Sequence, residues 1–394
     1  MLDFNKGAVT IPEISVYSLF ARNAEVNRSY PAIIFYDKYI TYSRTMSFID
    51  SMAYELKHGY NVRPGDTVIV SIELSPQYII SIFAILKIGA RAFILKGSED
   101  TGIIRGYIKK YGIKIVIVSK NSLDNFYTEN ATYIISDSSD FLTLGKAIIN
   151  RFKNHRRINY NNHVVKFYKF LYNDKSDPEE SDLMCPKILI KDGSNILAFT
   201  EKNLLTSTFI INYWLPKLDK KPAFYSSLPS NTATGLLYSV LIPVSYSGTV
   251  IINDRNRIFG NNSPDFIAGS REFYIDSIKY NFGNYKHYKN IHCLMPFYNK
   301  DIAEKFEEIN SCKIIGGFST ECTLTSHLNP FDDIRAGSFG IPLNYVEFKI
   351  MENKMLIKGP QNPEYMLTDT YIKNDEWYNT GIAVDIKDGY FYEL

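Results

Sequence analysis

Through its first third the chain switches repeatedly between two hydrophobic periods. Ala32-Ile33-Ile34-Phe35-Tyr36 reads as a strand, Asp37-Lys38 as a turn and Tyr39-Ile40-Thr41-Tyr42 as the returning strand. From Ser43, read as a cap, Met46, Ile49, Ala53 and Leu56 recur at three- and four-residue spacing, the period of a helix with one apolar face. Pro64-Gly65-Asp66 turns the chain into Thr67-Val68-Ile69-Val70-Ser71-Ile72, apolar enough for a parallel strand buried on both sides. Ser75-Pro76 combines an N-cap with a proline at the first helical position, and Ile79, Ile82, Phe83 and Leu86 give that helix its inner face. Gly89-Ala90 ends it before the strand Ala92-Phe93-Ile94-Leu95; a helix over 103–111 and a strand from Ile113 to Val118 follow. Strand, helix and strand at these spacings predict a doubly wound α/β sheet.

The rhythm breaks between 151 and 183. Arg151, Lys153, Arg156 and Arg157 precede an acidic stretch holding Asp174, Glu179, Glu180 and Asp182. Without interleaved aromatics, this reads as a solvated linker with compensating charges rather than a nucleic-acid arm. A second α/β region runs to about 330, and short strands over 347–350, 354–357 and 390–392 mark a β-rich tail. The expected architecture is α/β. It comprises two doubly wound α/β subdomains, 1–183 and 184–335, and a small β-rich, distorted barrel-like subdomain, 336–394.

At 394 residues the chain suits several packed subdomains, and 45% hydrophobic with 22% charged residues is an ordinary globular balance. A net charge of +2 gives no field strong enough to argue for nucleic acid or a membrane surface as a partner. Cys185, Cys293, Cys312 and Cys322 show neither Cys-x-x-Cys spacing nor a nearby histidine, so a reducing cytoplasm is expected. The first residues lack a leader pattern, and the most apolar run, Tyr78 to Ile88, contains Ser81 and Lys87 and is too short to span a bilayer.

Several segments form an ordered set: Ile40-Thr41-Tyr42-Ser43, Val62-Arg63-Pro64-Gly65-Asp66, Ala84-Ile85-Leu86-Lys87-Ile88-Gly89-Ala90, Gly337-Ser338-Phe339-Gly340-Ile341-Pro342 and Trp377-Tyr378-Asn379-Thr380-Gly381. In this order they resemble the adenylate-forming superfamily of acyl- and aryl-CoA ligases, peptide-synthetase adenylation domains and luciferases. The resemblance implies a carboxylate attacking the α-phosphate of ATP, with Mg²⁺, and a thiol then displacing AMP. That chemistry needs a Gly/Ser/Thr loop for the phosphates, carboxylates for the metal and the ribose, and a lysine for developing charge.

Carried over residue by residue, the resemblance is incomplete. Gly317-Phe318-Ser319-Thr320-Glu321 follows the family's Y-G-x-T-E, so Thr320 and Glu321 map onto the phosphate-contacting threonine and the Mg²⁺-binding glutamate. The family aromatic is Gly317 here, with Phe318 one place later. Where the phosphate loop belongs stands only Ile190-Lys191-Asp192-Gly193-Ser194-Asn195, and Asp192-Gly193 is a type I′ turn signal that predicts a tight hairpin. Met295-Pro296-Phe297 replaces the segment lining the adenine and acyl pockets, and Asn231 lies in the stretch replacing an acyl-pocket histidine. Ile382 follows Thr380-Gly381 where the family has the ribose aspartate, and Asp385 comes three residues later. The resemblance further leads us to expect that the mobile C-terminal lysine domain is absent.

These departures predict a non-catalytic homologue with no resident cofactor. Phe297, Gly317, Phe318 and Asn231 would line its pocket. It would bind a protein partner (an active ligase, a carrier protein or a separate C-terminal domain) or an acyl or aryl small molecule. The alternative is an ATP- and Mg²⁺-dependent acid–thiol ligase with a divergent site.

Overall fold

The computed structural model describes residues 7–142, 157–192, 195–254, 258–259, 262–280, 285–320, 323–367, 371–373 and 377–394. They form two compact units, one of residues 14–201 and one of 1–13 with 202–394. Among the described residues no helix is long and apolar enough to cross a membrane.

In the unit of 14–201, helix α1 (Val16–Val26) precedes an antiparallel hairpin, β1 (Pro31–Phe35) and β2 (Lys38–Thr41). Helix α2 (Tyr42–Tyr54) follows at once. Its N-cap is Thr41, not Ser43: Thr41 has extended backbone and its hydroxyl accepts the Arg44 N–H at 3.2 Å. Strands β3 (Thr67–Ser71), β4 (Arg91–Ile94), β5 (Ile115–Ser119), β6 (Thr132–Ser136), β7 (Val164–Lys166), β8 (Pro186–Asp192) and β9 (Asn195–Thr200) lie in the order β9-β8-β4-β3-β5-β6-β7. All pairings are parallel except β8 with β9. Helix α3 (Pro76–Lys87) starts at Ser75-Pro76 as its sequence dictates, with the Ser75 hydroxyl accepting from Tyr78 N–H at 3.2 Å. Every residue of α3 is buried, not one face alone.

That burial includes Lys87, which is 2% exposed. Its ammonium donates to Asp50 Oδ1 and Ser176 Oγ, both at 2.6 Å, and sits 5.1 Å from the Tyr17 ring centre. Asp50→Ala strands this ammonium and is expected to cost about 2 kcal/mol, the Ser176 and Tyr17 contacts holding it below the usual range for a broken buried pair. Lys87→Met leaves only the partly exposed Asp50 and should cost about half as much. Urea denaturation of the two variants checks the order.

The acidic stretch is not a solvated linker but a strap along this unit. Asp177 meets Lys57 at 3.1 Å and His58 at 2.7 Å, Glu180 meets Lys57 at 2.6 Å, and Glu179 accepts from Ser18 at 2.7 Å. Arg151, Lys153 and Arg156, expected to compensate it, lie outside the described residues.

The other unit is built on a parallel sheet of β10 (Ala223–Ser226), β11 (Thr249–Ile252), β12 (Phe266–Ala268), β13 (His292–Met295) and β14 (Ile314–Phe318), in the order β11-β10-β12-β13-β14. Antiparallel β15 (His327–Leu328) and β16 (Ser338–Pro342) continue it from β14. Beyond them come β17 (Glu347–Met351), β18 (Lys354–Lys358), β21 (Tyr378–Lys387) and β22 (Tyr390–Glu393), while β19 (Tyr365–Leu367) and β20 (Tyr371–Lys373) pair antiparallel with each other. The β-rich tail is thus an edge-to-edge extension of the parallel sheet. Phe339, Met355, Ile357, Val384 and Phe391 form its core.

Candidate functional site

In open α/β sheets, ligands collect outside the carboxyl ends of the parallel strands. Several candidates are there in the second unit: Asn231 after β10, Phe297 after β13, and Gly317, Phe318 and Thr320 at the end of β14. Hydroxyls knit these loops together. Thr232 caps the short helix Ala233–Leu236 through Gly235 N–H at 2.9 Å, and Thr234 donates to the carbonyl of Thr323 at 2.8 Å. Ser319 and Thr325 are hydroxyl-bonded at 2.9 Å, and Thr325 donates to Tyr238 at 3.2 Å.

Thr320 is engaged in its own loop. Its hydroxyl lies 3.0 Å from that of Thr323 and 3.4 Å from Tyr378 Oη, and accepts Thr323 N–H at 3.1 Å. Glu321 lies outside the described residues. Among those described, no group of three or more His, Cys, Asp or Glu is placed to hold a metal ion.

Gly317 and Phe318 divide by strand parity. Neighbours on a strand point to opposite faces, so an aromatic shifted by one residue changes sides. Phe318 turns to the β-rich core, 5.1 Å from the Phe339 ring and 6.2 Å from His327. A Cβ at position 317 would meet Leu328 Cδ1 at 3.0 Å, the carbonyl of His327 at 3.1 Å and Pro296 Cα at 3.5 Å. The backbone of Phe297 bridges to Phe318 and narrows the same end of the sheet.

Strand parity also separates Ile382 from Asp385. Ile382 packs with Ile386 against the apolar core of the tail. Asp385 lies at an odd offset on β21 and ion-pairs with Lys387 at 3.0 Å, which holds its carboxyl below the usual range.

In the first unit, β8 and β9 pair from Pro186↔Thr200 to Asp192↔Asn195. The tight hairpin expected over 190–195 is present. Residues 193–194 lie outside the described residues, and Asp192 pairs with Asn195 at the end of the ladder. Lys191 ion-pairs with Glu99 at 3.4 Å.

Two features had no signal in sequence spacing. The buried thiols of Cys293 and Cys312 interact, which lowers the Cys312 pKa and raises that of Cys293, while Cys312 Sγ itself donates to the Ile291 carbonyl at 3.8 Å. Glu201 is fully buried at the start of its helix, and desolvation raises its carboxyl to about 7.

Residues 20–182 match the model of the AMP-binding enzyme family. The acetyl-coenzyme A synthetase of Helicobacter pylori (strain P12) is 23% identical over 273 residues, covering 63% of this chain and 39% of that enzyme. The chain therefore spans about two fifths of the length of the curated relatives it matches. Among solved structures, an anthranilate CoA ligase in complex with anthranoyl-AMP superposes with a TM-score of 0.79 at 15% identity, over 96% of this chain and 77% of that one. Coronafacic acid ligase from Pectobacterium brasiliense gives 0.78 at 16% identity, over 97% and 78%. At these identities the structural likeness is one of fold. The chain thus matches the AMP-binding enzyme family over residues 20–182 and shares the fold of these acyl- and aryl-CoA ligases throughout.

Proposed function

We propose that this chain uses the AMP-binding fold for binding rather than for adenylation. Its ligand would be a protein partner (an active ligase, a carrier protein or a separate C-terminal domain) or an acyl or aryl molecule that it does not activate. One observation carries this reading: the Asp192↔Asn195 pairing leaves two residues where a phosphate loop would stand. A cradle for three phosphates and Mg²⁺ is built from a run of backbone N–H groups, and two residues supply at most two.

Residues within each unit support the same conclusion. The neighbouring lysine, Lys191, is already paired with Glu99. Position 317 has neither a ring to stack on adenine nor room for one, and Ile382 offers no acceptor to a ribose. On this reading neither ATP nor Mg²⁺ is a resident cofactor. The free thiols of Cys185, Cys293 and Cys312 suit a reducing cytoplasm.

Thermal unfolding with and without ATP·Mg²⁺ and AMP tests the proposal. A working site with nucleotide at one hundred times its dissociation constant would stabilise the fold by about 2.7 kcal/mol. The expected result is no shift beyond that given by matched salt, together with no ATP–pyrophosphate exchange. A nucleotide-specific shift of the stated size would overturn it in favour of an ATP-dependent acid–thiol ligase with a divergent site.

A further inference from the structure

A cavity of about 340 Å³ opens in the first unit where β2 runs into α2. It shares no residue with the candidate positions above. Phe48 and Phe141 meet edge to face at 5.7 Å on its wall, and Tyr172 meets Phe48 in the same way at 6.2 Å. The Arg44 guanidinium is held between two of these rings, 4.4 Å from the Phe48 centre and 5.7 Å from that of Tyr172. Lys38 stands 5.8 Å from the centre of Phe141.

Among the described residues neither Lys38 nor Arg44 has an ion-pair partner, whereas Lys57, Lys87, Lys114 and Lys191 are all paired. One carboxylate, Asp140, also lines the cavity, so its two cations leave the lining net positive. Rings with solvent-facing area border it: Tyr172 is 68% exposed and Tyr168 41%. Cations fixed on aromatic walls keep most of their charge for a ligand, because a ring quadrupole attracts without neutralising. A flat ring stacks on the exposed tyrosines while its anionic group reaches the cations. The volume falls near the lower end of small-molecule sites, roughly 300–1,000 Å³.

We propose that this cavity binds a small anion carrying one aromatic ring, an aryl carboxylate or an aryl phosphate. Titration calorimetry with benzoate and with phenyl phosphate reads it directly, with benzamide (a ring without charge) and cyclohexanecarboxylate (charge without an aromatic ring) as controls. The expected result is saturable binding of at least one aryl anion, with each matching control weaker by about tenfold or more. The double variant K38Q/R44Q should lose binding by about tenfold or more while its melting curve stays that of the parent, since both side chains are exposed. Absence of saturable binding by both aryl anions would overturn the proposal. Equal binding of benzamide, or an unchanged affinity in K38Q/R44Q, would overturn it too, the latter by placing the ligand elsewhere.

Discussion

Gly340→Ala is expected to cost more than about 4 kcal/mol, enough to deplete folded protein at physiological temperature. Gly340 has φ +99°, in the region where an L side chain is strained. Steric overlap costs more than this strain. A Cβ built there lies 2.0 Å from the carbonyl carbon of Leu328, 2.2 Å from its oxygen and 2.3 Å from Asn329 N. All three are backbone atoms of the neighbouring strand, so no rotamer change relieves the overlap. Nor can Gly340 itself retreat. Its N–H donates to Ser338 Oγ at 2.9 Å, that hydroxyl donates to the Phe391 carbonyl at 2.8 Å, and Gly340 pairs with Phe391 on β22.

Gly381→Ala separates backbone strain from overlap. Gly381 also has positive φ, +74°, but nothing lies within 4 Å of its Cβ position. It should cost only about 1–2 kcal/mol, the conformational penalty alone. Urea unfolding of both variants decides the matter. Equal losses would show that β15 and β16 do not approach as closely as described.

What the sequence made legible divides along local and non-local lines. Ser75-Pro76, the turn at Gly65 and the stop at Gly89 depend on a few adjacent residues, and each fell where pattern and turn chemistry place it. The cap of α2 shows the limit of that logic. Thr41 and Ser43 both carry hydroxyls, 3.2 Å apart, and only the extended backbone at Thr41 decides which one caps. At the candidate site, the substituted aromatic at 317–318 was visible in sequence, but its consequence needed the parity of β14.

Burial of charge was not legible at all. Lys87 and Glu201 look like surface residues until partners distant in the chain close over them. The acidic strap follows the same rule, since its complement, Lys57 and His58, lies more than a hundred residues earlier.

Glu201 yields the sharpest pH dependence. The chain joins its unit at Ile14 and leaves it at Glu201, and Glu201 Oε2 accepts the Val16 N–H at the start of α1 at 2.6 Å. Burial raises its carboxyl from 4.5 to about 7; the Val16 and Ser181 hydrogen bonds and the Lys187 charge oppose the rise, and Glu179 adds to it. Below 4.5 folded and unfolded chains both hold the proton, and Glu201 contributes its full stability. Between 4.5 and about 7 the unfolded chain releases the proton while the folded one keeps it, so stability falls as pH rises. At about 1.36 kcal/mol for each pH unit, the loss across this window is roughly 3 kcal/mol, complete once pH has passed the folded value. Glu201→Gln keeps an acceptor for Val16 but cannot ionise. Its stability should therefore lack this decline, and above about pH 7 it should be the more stable protein. Denaturant midpoints from about pH 4.5 to 8 measure the difference. Parallel curves for the two proteins would mean that Glu201 is solvated or ion-paired, rather than buried as a neutral acid against the start of α1.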